Sequence, residues 1–230
     1  MYAGFLATRM QAEVMKHREE IESAFDRYPD SMFYWCFVDL VDSSNYRIAH
    51  GAKDGYVRAE TFFALVSAVV APCGELRVVK EIGDAVLLTS PEFQPVLESV
   101  LLMDQTAKQL ADVAGTKGFP FEIRAGVDFG PAKRLARRHE DFVGTPIDRL
   151  SRLMGAPSKT SNIFVQEDAY QLAAEILAGY APFLTVSEPK QLSAESTKQM
   201  LQDVFYRELV VDRVQLAESR DHFAPWKPPR

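Results

Sequence analysis

An α+β protein is predicted, with an antiparallel sheet on a β-α-β-β-α-β core and an extra N-terminal helix. Three observations predict it. Residues 33–41 form an apolar run with the composition of a buried strand. Two β-rich runs, 76–82 and 85–89, meet at Gly83-Asp84, a two-residue connection that reads as a hairpin. Helical apolar spacing flanks that hairpin on both sides, through Phe62, Leu65, Val66 and Val69 before it and Val96, Val100, Leu101 and Ala107 after it.

The remaining elements follow in order. Residues 8–27 read as a helix, with Thr8 and Gln11 at capping-box spacing and Val14, Ile21 and Phe25 on one face. A polar turn follows the first strand, and Pro72 and Gly74 end the next helix. Ser90-Pro91 starts a helix, Ser as cap and Pro in the first turn, which Gly115 and Gly118 close. A strand is expected over 121–129, then a basic irregular stretch over 133–140. Thr145-Pro146 begins a helix with Ile147, Leu150, Leu153 and Met154 inward. Strands are expected at 162–165 and 204–211, with a helix between them ending at Gly179. The core order is the ferredoxin-like split arrangement. The expected organisation is a helical extension over 1–30, one domain over 31–215 and a tail over 216–230 whose three late prolines read as unstructured.

Bulk properties exclude several functions. A net charge of −6 lacks the basic surface that a nucleic-acid binder needs. No apolar run approaches the ~18 residues of a membrane span. The N-terminal residues do not read as a signal peptide, and Cys36 and Cys73 do not make a disulfide framework, so a cytoplasmic protein is expected.

Asp39 interrupts a wholly apolar run, and burying an ionised carboxylate without a partner is costly. An arginine, backbone N–H groups or a metal must compensate it. Asp84 lies at the hairpin joining the strands expected beside the first one. Alone, Asp84 reads as a turn residue and Asp39 as half of a structural salt bridge. Together at one end of the sheet, they are what a two-metal site uses. Asp42, Ser43 and Ser44 follow the first strand, where backbone N–H groups before a helix can cradle phosphates; polar loops after strands are also common.

These pieces resemble the class III nucleotidyl cyclases. Phe37-Val38-Asp39-Leu40 with Ser43-Ser44 resembles their first metal motif, and Lys80-Glu81-Ile82-Gly83-Asp84 their second. Arg124-Ala125-Gly126 with Gly130 resembles the next strand. Asp141 through Gly144 to Arg152 resembles the opening of their dimer-interface helix, and residues 162–165 the strand after it. The resemblance covers roughly residues 33–211, in the family's order.

The resemblance implies a nucleoside triphosphate substrate and two divalent cations, Mg2+ or Mn2+, on the Asp39 and Asp84 carboxylates and the Leu40 carbonyl. It implies Arg152 as the transition-state arginine and Lys80 with Asp141 as the base-contacting pair. It also implies a homodimer in which each site takes its metals from one subunit and its Lys, Asp and Arg from the other. Asp148 stands where the family usually has the catalytic asparagine; locally it also reads as part of a capping box with Thr145 or an i,i+4 partner of Arg152. Lys190 and Lys198 are the candidates for a triphosphate lysine, and both also read as solvated surface residues.

The Lys80–Asp141 pairing is that of adenylate cyclases making cyclic AMP. The compact chain and the cluster Phe33, Tyr34, Trp35 resemble instead the pyrimidine cyclases of bacterial antiviral defence, which make cyclic UMP or cyclic CMP for a separate effector protein. Phe33, Trp35 and Phe37 alternate onto the face of Asp39, either narrowing the pocket or filling the core. A nucleotide-binding regulatory module with a decayed site is the other reading. The related diguanylate cyclases need a Gly-Gly-acid-acid-Phe hairpin, which Glu81-Ile82-Gly83-Asp84-Ala85 does not supply.

Overall fold

The computed structural model describes residues 30–110, 119–135, 141–157, 162–192 and 203–219, with Gln11, Met15, Arg18 and Glu22 before them. Those four positions are helical, and Arg18 bonds Glu22 at 2.7 Å. The rest of the expected N-terminal helix, the glycines at 115 and 118 and the proline-rich end lie outside the described residues.

The strand β1 (Ser31–Leu40) is central, antiparallel to β3 (Ala85–Ser90) on one side and to β4 (Ile123–Leu135) on the other. β2 (Arg77–Ile82) forms the outer edge beyond β3. The order β2-β3-β1-β4 is the expected ferredoxin-like sheet. It continues through β6 (Ile163–Gln166), β9 (Phe205–Val211) and β7 (Leu184–Val186), with β5 (Asp141–Val143) paired to β4 and β8 (Lys190–Gln191) to β9. β4 and β6 are parallel. Gly83 turns the β2–β3 hairpin at φ 64°, a conformation that favours glycine.

Alternation along β1 divides the core. Cys36, Val38 and Leu40 point to one face, which is covered by α2 (Ala52–Val70), α3 (Phe93–Leu110) and α5 (Glu167–Ala178) through Phe62, Val66, Val100, Ala169 and Ala173. Trp35 and Phe37 point to the other, where α4 (Thr145–Leu153) lays down Ile147, Leu150 and Leu153. Trp35 is fully buried, and its Nε1 donates to the Gly130 carbonyl at 3.0 Å. Trp35 and Phe37 are therefore core residues first. Among the described residues no helix is long and apolar enough to cross a membrane.

Several expectations are corrected. The polar turn after β1 is a helix, α1 (Ser43–His50), with only Tyr46 buried, so it has too little apolar surface to show periodicity. Ser90 does not begin α3; its hydroxyl accepts from the Glu92 N–H and the helix starts at Phe93. β4 runs on through Lys133 to Leu135, where β5 folds back onto it. Thr145 is not the cap of α4: Gly144 is, and no side chain caps the helix, so Asp148 forms no capping box. After β9, α6 (Arg213–Glu218) follows, capped by Asp212, with Leu216 buried and Arg213 bonded to the buried Asp104 of α3. Both thiols, Cys36 and Cys73, are buried and unpaired.

Candidate functional site

Register brings the two acids together. Asp39 lies opposite Ala85 on β3 and Arg124 on β4, and the Leu40 N–H donates to the Asp84 carbonyl at 3.3 Å. Burial pushes the Asp39 carboxyl up to about 6, and the neighbouring charge of Asp84 adds to the rise; the Leu40 amide and Arg124 pull it back only in part. Ser43, at the start of α1, donates its hydroxyl to Asp84. Asp42 sits in the left-handed region at φ 56° and accepts from Asn45, leaving the first turn of α1 without a side-chain cap. Ser43 and Ser44 thus sit on an uncapped helix end, Ser43 against Asp84, where amide donors and the helix dipole favour an anion.

Lys80 and Asp141 meet. A bulge in β2 between Val78 and Lys80 sets Lys80 opposite Leu87, and its ammonium bonds the Asp141 carboxylate at 2.5 Å. The neighbours of this pair, Val79 and Phe142, help line a cavity of about 270 Å³ with Phe33, Arg77 and Thr89. The ring of Phe142 packs 5.1 Å from that of Trp35.

Arg152 and Asp148 lie on α4. Asp148 is exposed and pairs with no cation among the described residues, Arg152 included, so the i,i+4 reading also fails. Arg152 is half-buried, and its Nε has no hydrogen-bond partner among the described residues. Lys190 is committed elsewhere, its Nζ 2.8 Å from the buried carboxylate of Glu208. Drawing it toward a triphosphate would break that ion pair. Lys198 lies outside the described residues.

No protein-family model matches the chain, and no curated protein does. Solved structures do match. The adenylyl cyclase CyaB from P. aeruginosa superposes with a TM-score of 0.66 at 16% identity, over 80% of this chain and 95% of that one. The guanylyl cyclase Cya2 superposes with a TM-score of 0.65 at 12% identity, over 80% and 95%. The catalytic core of a rhodopsin-guanylyl cyclase with converted specificity, in complex with ATPalphaS, gives 0.62 at 17% identity, over 80% and 98%. The chain has the nucleotidyl cyclase fold.

Within the cyclase fold, the donor chemistry fits a divalent cation. Asp39, Asp84 and the Leu40 carbonyl offer hard oxygen donors, and Asp39 has no ion-pair partner among the described residues to balance its burial. No group of three or more His, Cys, Asp or Glu gathers among the described residues. Two carboxylates and one carbonyl suit Mg2+, which keeps sites for water and substrate phosphates.

The raised Asp39 carboxyl makes a prediction. Its ionised form is disfavoured in the fold, so it costs nothing below pH ~3.8 and destabilises increasingly as pH rises through about 6. In EDTA at pH 7.5, Asp39→Asn is expected to unfold a few degrees above wild type, and at pH 4 at the same temperature. Saturating Mn2+ at pH 7.5 raises wild type and leaves the variant unmoved. Equal shifts by Mn2+ in both proteins would remove Asp39 from any metal site.

Sequence reasoning gave no role to three arginines. Arg58 is buried between the Tyr46 and Phe121 rings and donates to the Val41 and Pro120 carbonyls, behind the turn from β1 to α1. Arg124 stands across from Asp39, and Arg149 makes a bidentate pair with the fully buried Asp128. Only Asp128 carried a signal: like Asp39, it is an acid inside an apolar strand.

Proposed function

We propose that the protein is a nucleotidyl cyclase converting a nucleoside triphosphate to a 3′,5′-cyclic nucleotide and pyrophosphate. The observation that carries this reading is the juxtaposition of Asp39 and Asp84 at one end of a cyclase-fold sheet, with the burial of Asp39 only partly offset by Arg124. In the reaction the ribose O3′ bonds to the α-phosphorus, the bond from that phosphorus to the bridging oxygen breaks, and the hydroxyl proton passes to solvent. Two divalent cations on Asp39, Asp84 and the Leu40 carbonyl would supply activation of the hydroxyl and neutralisation of the pyrophosphate charge. The amides at the start of α1, around Ser43 and Ser44, are set to receive phosphate oxygens. Arg152, a cation with an unused donor, would meet charge developing at the α-phosphate, with Asp148 one helical turn before it, toward the ribose.

Arg152, Lys80 and Asp141 act, in this reading, in the site of a second copy, giving a homodimer with two shared sites. Lys80 and Asp141 present a donor and an acceptor to the base, and the cavity beside them takes its ring. The pairing favours ATP. The aromatic wall of Phe33 and Phe142, backed by the buried Trp35, supports a smaller ring, so the reading leans to UTP or CTP, with cyclic UMP or cyclic CMP serving as an antiviral signal to a separate effector. Incubating the purified dimer with Mn2+ and each of the four ribonucleoside triphosphates, and weighing products by mass spectrometry, tests it. One cyclic monophosphate with equimolar pyrophosphate is expected. Four intact triphosphates would reject the cyclase, and tight binding without turnover would leave a regulatory nucleotide module.

A further inference from the structure

The bulge in β2 puts two cations on one face of the sheet. On a regular strand, residues three apart point to opposite faces. In β2 the register steps from Val78 opposite Leu88 to Lys80 opposite Leu87, so Arg77 and Lys80 both share the face of Leu87 and Thr89. Arg77 lies directly across from Thr89, and Lys80 lies on the diagonal. This is the face of Trp35 and Phe37, and Arg77, Thr89, Val79, Phe33 and Phe142 line the cavity there.

The polar groups around this cavity have a fixed sense. Thr89 is buried, and its hydroxyl donates its one proton to the Tyr34 carbonyl at 3.1 Å. Toward the cavity it is therefore an acceptor. Arg77 has only donors, and its guanidinium makes no ion pair among the described residues, Glu75 on the same rim included. Lys80 is held by Asp141 through one of its three N–H groups and keeps two more. An acceptor with one cationic donor straight across and another on the diagonal complements a ring edge that reads carbonyl, N–H, carbonyl. Of the four bases only uracil has that edge, in O2, N3–H and O4. Cytosine would turn its N3 lone pair toward the Thr89 oxygen and its amine toward a cation. We infer that Arg77 and Thr89 are specificity-determining residues which, with Lys80, select a uracil base. The inference rests on the cyclase reading and narrows its substrate to UTP.

Steady-state kinetics of the purified full chain with Mn2+ and each of UTP, CTP, ATP and GTP test it. Wild type is expected to prefer UTP. Thr89→Val keeps the side-chain shape and loses the acceptor. Its ratio of kcat/KM for UTP over CTP is expected to fall about tenfold, the cost of leaving a buried N–H unpaired, and Thr89→Ser is expected to restore it. In Arg77→Met the KM for UTP is expected to rise about tenfold, with the loss carried by KM rather than kcat, because a base contact binds the ground and transition states alike. An unchanged ratio in Thr89→Val, or an unchanged KM in Arg77→Met, overturns the inference. If Thr89→Val does not fold, wild type is given N3-methyl-UTP in its place, and turnover equal to that of UTP overturns it. A wild type that cyclises another triphosphate in preference to UTP overturns it too and leaves the cyclase reading standing. A wild type that turns over none of the four sinks the cyclase reading instead. Calorimetric binding of UTP then decides for the cavity alone: weaker binding in Arg77→Met supports the assignment, and equal or absent binding in both proteins overturns it.

Discussion

Mixing Asp39→Ala chains with Arg152→Ala chains is expected to restore turnover that neither has alone. Each single variant is expected to lose at least ~10³-fold in kcat. In the proposed site Asp39→Ala would remove a cation-binding carboxylate, and Arg152→Ala a charge aimed at the transition state, where one preorganised donor is worth 10²–10³-fold or more. Random pairing makes about half the dimers mixed, and each mixed dimer rebuilds one of its two sites, so roughly a quarter of wild-type turnover per chain should return. The geometry behind the expectation is the separation of roles within a chain. Asp39 sits at the end of β1 against β3 and β4, whereas Arg152 rides on α4, which packs over the middle of the second sheet face. Mixtures that stay as inactive as the single variants would mean that one chain completes its own site.

The second large effect is on stability. Arg149→Ala leaves the Asp128 carboxylate fully buried without its bidentate partner, a change that costs about 3–5 kcal/mol. In a chain of this size that lowers the melting temperature on the order of 10 °C. Asp128→Leu combined with Arg149→Met is expected to recover most of the loss, because a well-packed apolar pair of similar volume often matches a buried ion pair. Burial pushes the Asp128 carboxyl up to about 6, and the guanidinium pulls it back only in part. Urea unfolding of the two single variants and the double closes the cycle. Additive losses would show that the pair is not coupled.

The parts of the fold written in local pattern were legible in the sequence. β1 announced itself by composition, the hairpin by Gly83-Asp84, and α2 and α3 by helical spacing. The elements that were not legible are those whose order comes from distant partners. α1 buries a single residue. Lys133 to Leu135 look like a basic loop until β5 folds back on them. β7 and β8 have three and two residues, too few to alternate visibly. The candidate site divides the same way. Asp39 stood out because its neighbours were apolar, but the arginines that surround the site look like ordinary charged residues until the chain closes. Arg124 finds its carbonyls 30 and 32 residues away, and Arg58 reaches one 62 residues away. No local window holds such a pair. Asp128, Asp104 and Glu208 obey the rule that exposed Asp39, since each is a buried acid that meets a basic side chain.

The two buried thiols give the molecule a clock of its own. Cys36 has no exposed surface and sits in the middle of the central strand, hydrogen-bonded on both sides, and burial pushes its thiol well above the usual range. Cys73 lies just past the end of α2, beside a short turn whose amide bonds fall back on Val70. An alkylating reagent therefore reaches Cys73 through fraying of a helix end, and Cys36 only when β1 leaves the sheet. The ratio of their modification rates reads the energy gap between a local opening and the loss of the strand that carries Asp39.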